Sequence, residues 1–215
     1  MTTRSSTGAA LIVALAGPPL FVVIPNRLFG ESPALGIQLV LQVLYCGLAG
    51  FIAWFVLRVE HLPLQSIGIR RPSWSTIGWA FLVALAALYL LPILTTPLTN
   101  ALGDDGVESG VRRLASLPAW FRVFLAVTGG AVEETLYRGY AVERLTTITG
   151  RAWLGGAVAT VAFGLAHIPW WGLGFALGAD LPFGILMTGF YLWKRNLPAN
   201  ILAHATALLV GILTV

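Results

Sequence analysis

The sequence predicts an all-α integral membrane protein, a polytopic bundle of six to seven transmembrane helices with one short re-entrant segment. Hydrophobic residues make up 57% of the 215 residues and charged residues only 10%, whereas soluble chains carry about a quarter of their residues as Asp, Glu, Lys or Arg. The mean hydropathy is +0.83. The apolar residues are grouped into runs of about 20, the length at which a helix crosses a bilayer core.

Five apolar runs predict the first membrane helices. The run at 8–24 contains a proline pair and continues past a cleavage-like Ala-Leu-Ala at 14–16, so we expect a retained helix rather than a signal peptide. We expect the third helix to end at Pro92 and Pro97, because proline cannot continue the helical hydrogen bonds. The other four runs lie at 34–57, 77–94, 117–137 and 152–168.

The remainder of the chain is less regular. Pro169, several glycines and Pro182 interrupt the stretch 169–193. They predict a short re-entrant turn near 170–177, followed by a helix at 181–193 that is too short to span the membrane without shielding by protein. A last span is expected at 197–215, and we expect residues 1–215 to form a single domain.

The charges indicate a topology and exclude several classes of function. The only cysteine is Cys46, so no intrachain disulfide forms. Basic residues occur at most in pairs between apolar runs, which favours topology signals over nucleic-acid binding. We expect a bacterial inner-membrane protein with a cytoplasmic N-terminus. Nine of the 13 basic residues would then lie inside: Arg4, Arg58, Arg70, Arg71, Arg138, Arg144, Arg151, Lys194 and Arg195.

Three charges fall at the end of an apolar helix. Glu134 and Arg138 are four residues apart and can pair on one helix face. Glu133 points about 100° away from Glu134, so the arginine neutralises it less easily. A carboxylate kept inside a membrane protein is costly and usually functional, and burial makes it a usable base. The alternative is a solvated helix end at the membrane interface.

Two histidines favour a buried polar site. His167 ends the fifth apolar run, and His204 lies within the last one, four residues after Asn200. Polar groups on membrane helices face the bundle interior and one another. A carboxylate with two imidazoles can hold Zn²⁺, with Glu133, His167 and His204 as the ligands. The same groups without a metal can perform general-base hydrolysis, and the sequence does not choose between the two.

These motifs resemble one family. Glu133-Glu134-Thr-Leu-Tyr-Arg138, followed by Phe163-x-x-x-His167 and a late helix with His204, is similar to the CPBP family of CAAX-protease and bacteriocin-processing (Abi) intramembrane endopeptidases. The resemblance covers roughly residues 118–209. It implies peptide-bond hydrolysis inside a helical bundle, acting on a peptide or protein substrate that can be membrane-associated or lipidated.

The resemblance also assigns roles to the site. Glu133 would activate water, Glu134 and Arg138 would support it, and His167 and His204 would line the site. Members of the family often carry Asn or Asp four residues after the last histidine, where this chain has Leu208.

Three points remain open from the sequence. Asn200, one turn before His204, is the expected substitute for the family residue that Leu208 replaces. Tyr137 is expected to be an interfacial anchor, with a hydrogen bond into the site as the alternative. A non-catalytic membrane adaptor and a small proton-coupled transporter are the alternative functions.

Overall fold

The computed structural model describes residues 4–103 and 107–213, and within these ranges every regular element is helical. The prediction of an all-helical protein is therefore confirmed for this part of the chain. A 3₁₀ turn, Leu64–Ile67, joins the second and third of the eight helices. The helices are α1 (Arg4–Phe29), α2 (Leu35–Arg58), α3 (Trp74–Leu102), α4 (Val107–Ala115), α5 (119–149), α6 (Ala152–Ala166), α7 (Ile168–Lys194) and α8 (Leu197–Leu213).

Four of these helices are long and apolar enough to cross a membrane, namely α1, α2, α3 and α7. Helices α6 and α8 are shorter apolar helices, and α5 carries the motif charges. The chain is thus an integral membrane protein, whereas the count of six to seven spans stays a prediction.

Helix α3 differs from its prediction. It runs through Pro92 and Pro97 to Leu102, so the expectation that it ends at these prolines is wrong. A π-helical turn, Ala86–Leu90, lies directly before Pro92. Such widened turns let a membrane helix continue past a proline, because they shift the hydrogen bonds that the proline interrupts.

The region after His167 also differs from its prediction. Instead of a separate short helix at 181–193, α7 extends from Ile168 to Lys194. It leaves helical geometry only at Gly172, where φ is 83°, a value that residues with a side chain rarely adopt. The predicted re-entrant turn is therefore reduced to one break near the start of α7.

Close helix packing brings the two halves of the site together. Helix α5 packs along α8, and the two helices are in close contact at Gly130. A methyl group added at Gly130 would lie 3.0 Å from the backbone nitrogen of Ala205. Small residues allow such contact between membrane helices, and this contact lies one turn before Glu133.

A buried ion pair between Arg144 and Glu60 stabilises one end of the bundle. Nη2 of Arg144 on α5 lies 2.6 Å from Oε2 of Glu60, just after α2, and the Tyr140 hydroxyl donates to the same carboxylate at 3.0 Å. Both Arg138 and Arg144 are buried. Each is neutralised by a glutamate inside the bundle, so neither is a solvated loop charge, and their position on the cytoplasmic side stays a prediction.

Candidate functional site

The Glu-Glu motif lies where α5 changes its helical form. The α-helical part ends at Glu133, and a nine-residue π-helical segment, Glu134–Val142, follows at once. All nine residues of this segment are buried, so the helix end is not a solvated interfacial cap. π-Helical segments are uncommon and occur frequently at functional sites.

Glu134 is the central acceptor of a buried hydrogen-bond network. Its Oε1 atom accepts from Arg138 at 2.8 Å and from Nδ1 of His204 at 2.7 Å, and its Oε2 atom accepts from the Asn200 amide at 2.5 Å. Both the Glu134 and Arg138 side chains are 0% exposed. The network joins α5 to α8 and uses both carboxylate oxygens of Glu134.

Arg138 is held on every side. Besides Glu134, its guanidinium donates to the Thr188 hydroxyl at 3.3 Å and to the Gly184 carbonyl at 3.2 Å, both on α7. It also lies 4.2 Å from the ring centroid of Phe163 on α6. The arginine therefore ties three helices together and supports the network from behind.

The two histidines are each fixed through the same ring nitrogen. Nδ1 of His167 donates to the Phe163 carbonyl oxygen at 2.8 Å, and Nδ1 of His204 donates to Glu134. In a neutral imidazole the other nitrogen is then an acceptor. Hydrogen bonds of this kind fix the tautomer and the orientation of a ring. The Nε2 atoms of both rings are therefore available for chemistry.

Both Nε2 atoms face Glu133. Oε2 of Glu133 lies 3.8 Å from Nε2 of His167 and 3.9 Å from Nε2 of His204. This oxygen is buried and has no hydrogen-bond partner among the described residues. The other oxygen accepts a long hydrogen bond of 3.4 Å from the Tyr45 hydroxyl. The structure thus brings Glu133, His167 and His204 together around one point.

This point lies in a large cavity of about 760 Å³. The walls come from α1 to α8, and most of the lining side chains are apolar or aromatic. The cavity occupies the half of the bundle where α1 ends: it is lined from Pro18 onward in α1, and by 38–45 of α2 and 87–100 of α3. Glu133, His167 and His204 lie on its wall, and Leu208 lines it too.

Asn200 lies on the other side of the network. Its amide nitrogen donates to Glu134 and, at 3.2 Å, to the Met187 carbonyl. Asn200 is fully buried and is not among the residues that line the cavity. The expectation that it substitutes at the site for the residue replaced by Leu208 is therefore wrong, because both amide contacts keep it behind Glu134.

Three further residues line the cavity but were not among the site residues predicted from motif spacing, namely Tyr137, Tyr45 and Asp180. Tyr137 is fully buried rather than interfacial, and its hydroxyl has no partner among the described residues. Tyr45 comes from α2, outside every motif. Asp180 ends a π-helical turn in α7 and also has a buried oxygen without a described partner. A charged residue in an apolar stretch was the only sequence signal for Asp180, and Tyr45 gave none.

The candidate metal ligands do not form a compact donor set. Among residues 4–103 and 107–213, no group of three or more His, Cys, Asp and Glu side chains is close enough to hold a metal ion. The donor types of Glu133, His167 and His204 would suit Zn²⁺, but their arrangement does not supply the sphere of ligands.

One comparison with known proteins matches the part of the chain that carries the candidate site. A family model for the type II CAAX prenyl endopeptidase Rce1-like proteins matches residues 115–210. The matched range nearly coincides with residues 118–209, so the resemblance inferred from the motifs is confirmed. It contains every site residue predicted from the motifs but none of α1 to α3, and so not Tyr45. No curated protein and no solved structure matches the chain.

Proposed function

We propose that the protein is an intramembrane endopeptidase in which Glu133 activates water, and the match of residues 115–210 to the CAAX prenyl endopeptidase family model supports this function. One observation carries the mechanism: the unpaired Oε2 of Glu133 lies 3.8 Å and 3.9 Å from the free ring nitrogens of His167 and His204. A water about 2.8 Å from Oε2 could also contact either nitrogen.

Glu133 acts first as a base and then as an acid. Its carboxylate takes a proton from the water while the water oxygen attacks the carbonyl carbon of the scissile peptide bond. The tetrahedral intermediate then collapses, the C–N bond breaks, and Glu133 returns the proton to the leaving amine.

Glu134 positions the site and does not take part in proton transfer. Its two oxygens already accept from Arg138, His204 and Asn200. The hydrogen bond to Nδ1 holds the His204 ring with Nε2 toward Glu133. When the ring takes up a second proton from solvent at Nε2 before the attack, it donates to the oxyanion, and the Glu134 carboxylate stabilises the positive charge of the imidazolium.

Tyr137 supplies a further oxyanion donor. Its hydroxyl is buried beside the cavity and unpaired among the described residues, and its ring packs edge-on against Phe163 with centroids 5.4 Å apart. A rigid, preorganised donor in a water-poor site stabilises the developing oxyanion without reorganisation. This role takes the place of the Asn or Asp that many family members carry at the position of Leu208.

The cavity indicates the class of substrate. Its volume of about 760 Å³ and its apolar lining suit an extended peptide from a membrane-associated protein, with space for a lipid chain beside it. Zinc dependence is tested with a chelator.

We propose a bacterial inner-membrane location with the N-terminus of α1 in the cytoplasm. Seven basic residues lie at or near helix ends on that side, namely Arg4, Arg58, Arg70, Arg71, Arg151, Lys194 and Arg195.

The test is peptide cleavage by purified protein in detergent. Wild type is compared with Glu133→Gln, which keeps the shape of the side chain but cannot accept the proton. Glu108→Gln, which alters an exposed carboxylate paired with Arg112, is the matched control. We expect cleavage by wild type and by the control, and none by Glu133→Gln.

Four results would count against the mechanism. Cleavage retained in Glu133→Gln would rule out this residue as the base. Binding without cleavage by wild type would instead identify a non-catalytic adaptor. Each assay is repeated with a chelator, and a loss of activity restored by added Zn²⁺ would replace the metal-free mechanism. Proton flux in vesicles that disappears in Glu133→Gln would favour a transporter.

A further inference from the structure

We propose that the protein binds the headgroup of an anionic phospholipid in a polar pocket between Arg70 and Arg195. The pocket lies at the end of the bundle where α2 ends and α3 begins, and it shares no lining residue with the cavity that holds Glu133. The inference concerns a second site and does not depend on the proposed endopeptidase function.

The pocket has a volume of about 270 Å³ and a polar lining. Three parts of the chain meet there: the connection between α2 and α3, helix α5, and the short link between α7 and α8. Guanidinium, amide and hydroxyl groups can all donate to phosphate oxygens, and basic pockets between membrane helices bind anionic headgroups. The lining residues are Gln65, Ser66, Gly68, Arg70, Glu143 and Arg195.

The charged residues of the lining leave donors free for a ligand. The one acid, Glu143, already accepts from Arg195 at 2.7 Å and from the Tyr191 hydroxyl at 2.8 Å. A guanidinium has five N–H donors, so Arg195 can hold Glu143 and still donate to a phosphate. Arg70 is exposed and forms no ion pair with any described residue. The lining therefore contains one neutralised arginine and one uncompensated arginine.

The charges next to the pocket have the same sign. Arg71 and Lys194 directly adjoin the two arginines of the pocket in the chain. The nearest further cation on α5, Arg144, is neutralised by Glu60. The pocket and its surroundings thus carry a net positive charge, which raises the local concentration of anions.

Exposed tryptophans beside the pocket indicate that it lies at the depth of the lipid headgroups. Trp79 and Trp193 have ring centroids 4.8 Å apart, and Nζ of Lys194 lies 3.4 Å from the Trp193 centroid. Both rings are exposed, and Trp74 at the start of α3 is 89% exposed. Tryptophan is enriched where the membrane meets water. Because Lys194 directly precedes Arg195, the pocket adjoins this aromatic belt and faces the phosphates of the same leaflet.

The walls of the pocket are fixed before a ligand binds. The backbone nitrogen of Leu197 donates to the Gly68 carbonyl at 2.8 Å, and the Asn196 amide donates to the Arg70 carbonyl at 3.1 Å. Gly68 has a φ of 80°, and a Cβ there would lie 2.6 Å from the Tyr191 hydroxyl oxygen. The connection between α2 and α3 is therefore held against α7 and α8, and a preorganised site loses little entropy on binding.

The backbone of Arg195 also indicates a use for its side chain. Its φ is 47°, in the left-handed region, directly after the end of α7. Glycine is the usual residue at such a helix end, because a side chain is strained there. An arginine at this position directs a guanidinium into the pocket at a point where glycine would relieve the strain.

The experiment measures lipid binding to purified, delipidated protein in a neutral detergent by native mass spectrometry. The protein is titrated with phosphatidylglycerol or with phosphatidylcholine, and we expect wild type to bind the first phosphatidylglycerol molecule more tightly. Arg70→Gln should weaken the binding of phosphatidylglycerol about fivefold, as expected for the loss of one charge at a headgroup, and leave phosphatidylcholine binding unchanged. Arg70→Lys keeps the charge and should retain the preference.

Arg151→Gln is the matched control, because it removes an exposed arginine at the same end of the bundle but outside the pocket. It should bind phosphatidylglycerol like wild type. Equal weakening in Arg151→Gln and Arg70→Gln would show only a diffuse attraction to the charged end of the bundle and would overturn the inference. Unchanged binding in Arg70→Gln, or equal affinity of wild type for both lipids, would overturn it as well.

Thermal unfolding distinguishes a lipid from free phosphate. Phosphatidylglycerol should raise the unfolding midpoint of wild type more than that of Arg70→Gln, because a ligand that binds only the folded state stabilises it. An equal rise with inorganic phosphate alone would identify a site for free phosphate and overturn the assignment to a lipid. None of these measurements involves peptide cleavage, so the proposed function and this inference can fail independently.

Discussion

Nδ1 of His204 lies 2.7 Å from Oε1 of Glu134, a contact between residues that are 70 positions apart in the chain. The same carboxylate accepts from Arg138 on its own helix. Its neighbour Glu133 has a buried oxygen with no described partner. Two adjacent glutamates therefore have opposite environments: one is saturated with donors and the other is open to the cavity.

Removal of Glu134 should unfold the protein more readily than removal of Glu133. Glu134→Ala leaves Arg138 buried without its partner, which typically costs about 3–5 kcal/mol. We expect a clear fall in the thermal unfolding midpoint in detergent. Glu133→Ala should have a much smaller effect, because no buried cation depends on this carboxylate.

A double variant separates stability from activity. Glu134→Leu/Arg138→Met removes both charges and should recover most of the stability lost in Glu134→Ala, since a hydrophobic pair often replaces a buried ion pair without loss. Cleavage should not recover, because His204 loses the acceptor that orients it. Recovery of both properties would mean that the ion pair has no positioning role.

Neighbouring glycines on α5 should respond differently to the same substitution. A Cβ at Gly130 would lie 3.0 Å from the Ala205 nitrogen, whereas one at Gly129 would make an ordinary contact of 3.7 Å with Leu208. We expect Gly130→Ala to destabilise by about 1–3 kcal/mol and to slow cleavage by separating α5 from α8. Gly129→Ala should be nearly neutral in thermal unfolding, and equal effects would show that the helix contact does not limit the site.

Replacement of Tyr137 by Phe tests the oxyanion donor. Loss of one such donor typically lowers kcat about 10²–10³-fold, and we expect KM to change little because the ring remains. Tyr140→Phe is the matched variant: it removes a hydroxyl that donates to Glu60, so it should lower stability and spare kcat. A fall in kcat of similar size in both would indicate a general structural effect.

Leu208→Asn restores the family residue at the cavity wall. Because the amide of Asn200 is used by Glu134 and Met187, it cannot serve the oxyanion, and a new amide at position 208 would add a donor. We expect a higher kcat and partial rescue of Tyr137→Phe. An unchanged kcat in both backgrounds would indicate that position 208 does not reach the oxyanion.

Helical periodicity and charge placement predicted much of the site. The separation of four residues between Glu134 and Arg138 was sufficient to predict their ion pair, because helix geometry alone brings them together. Asn200 was correctly placed beside His204, but its direction could not be predicted. That direction depends on how α8 is rotated against α5, a packing property that residue spacing within α8 does not encode.

Other features depend on packing that leaves no local pattern. Proline positions predicted the end of α3, yet a π-helical turn allows the helix to continue past Pro92. Tyr137 occupies a sequence position typical of an interfacial anchor, but the π-helical segment is buried on all sides. Asp180 lies in the stretch 169–193 that prolines and glycines were expected to interrupt, yet α7 continues through it.

The local pair of Glu134 and Arg138 has a consequence for biosynthesis. Since both residues lie on α5, they can neutralise each other as soon as that helix forms, which lowers the cost of its entry into the bilayer. His204 emerges from the ribosome 66 residues after Arg138. A nascent chain that lacks α8 therefore has α5 inserted in the bilayer but no oriented imidazole. The site becomes able to hydrolyse a peptide only when the last helix is inserted.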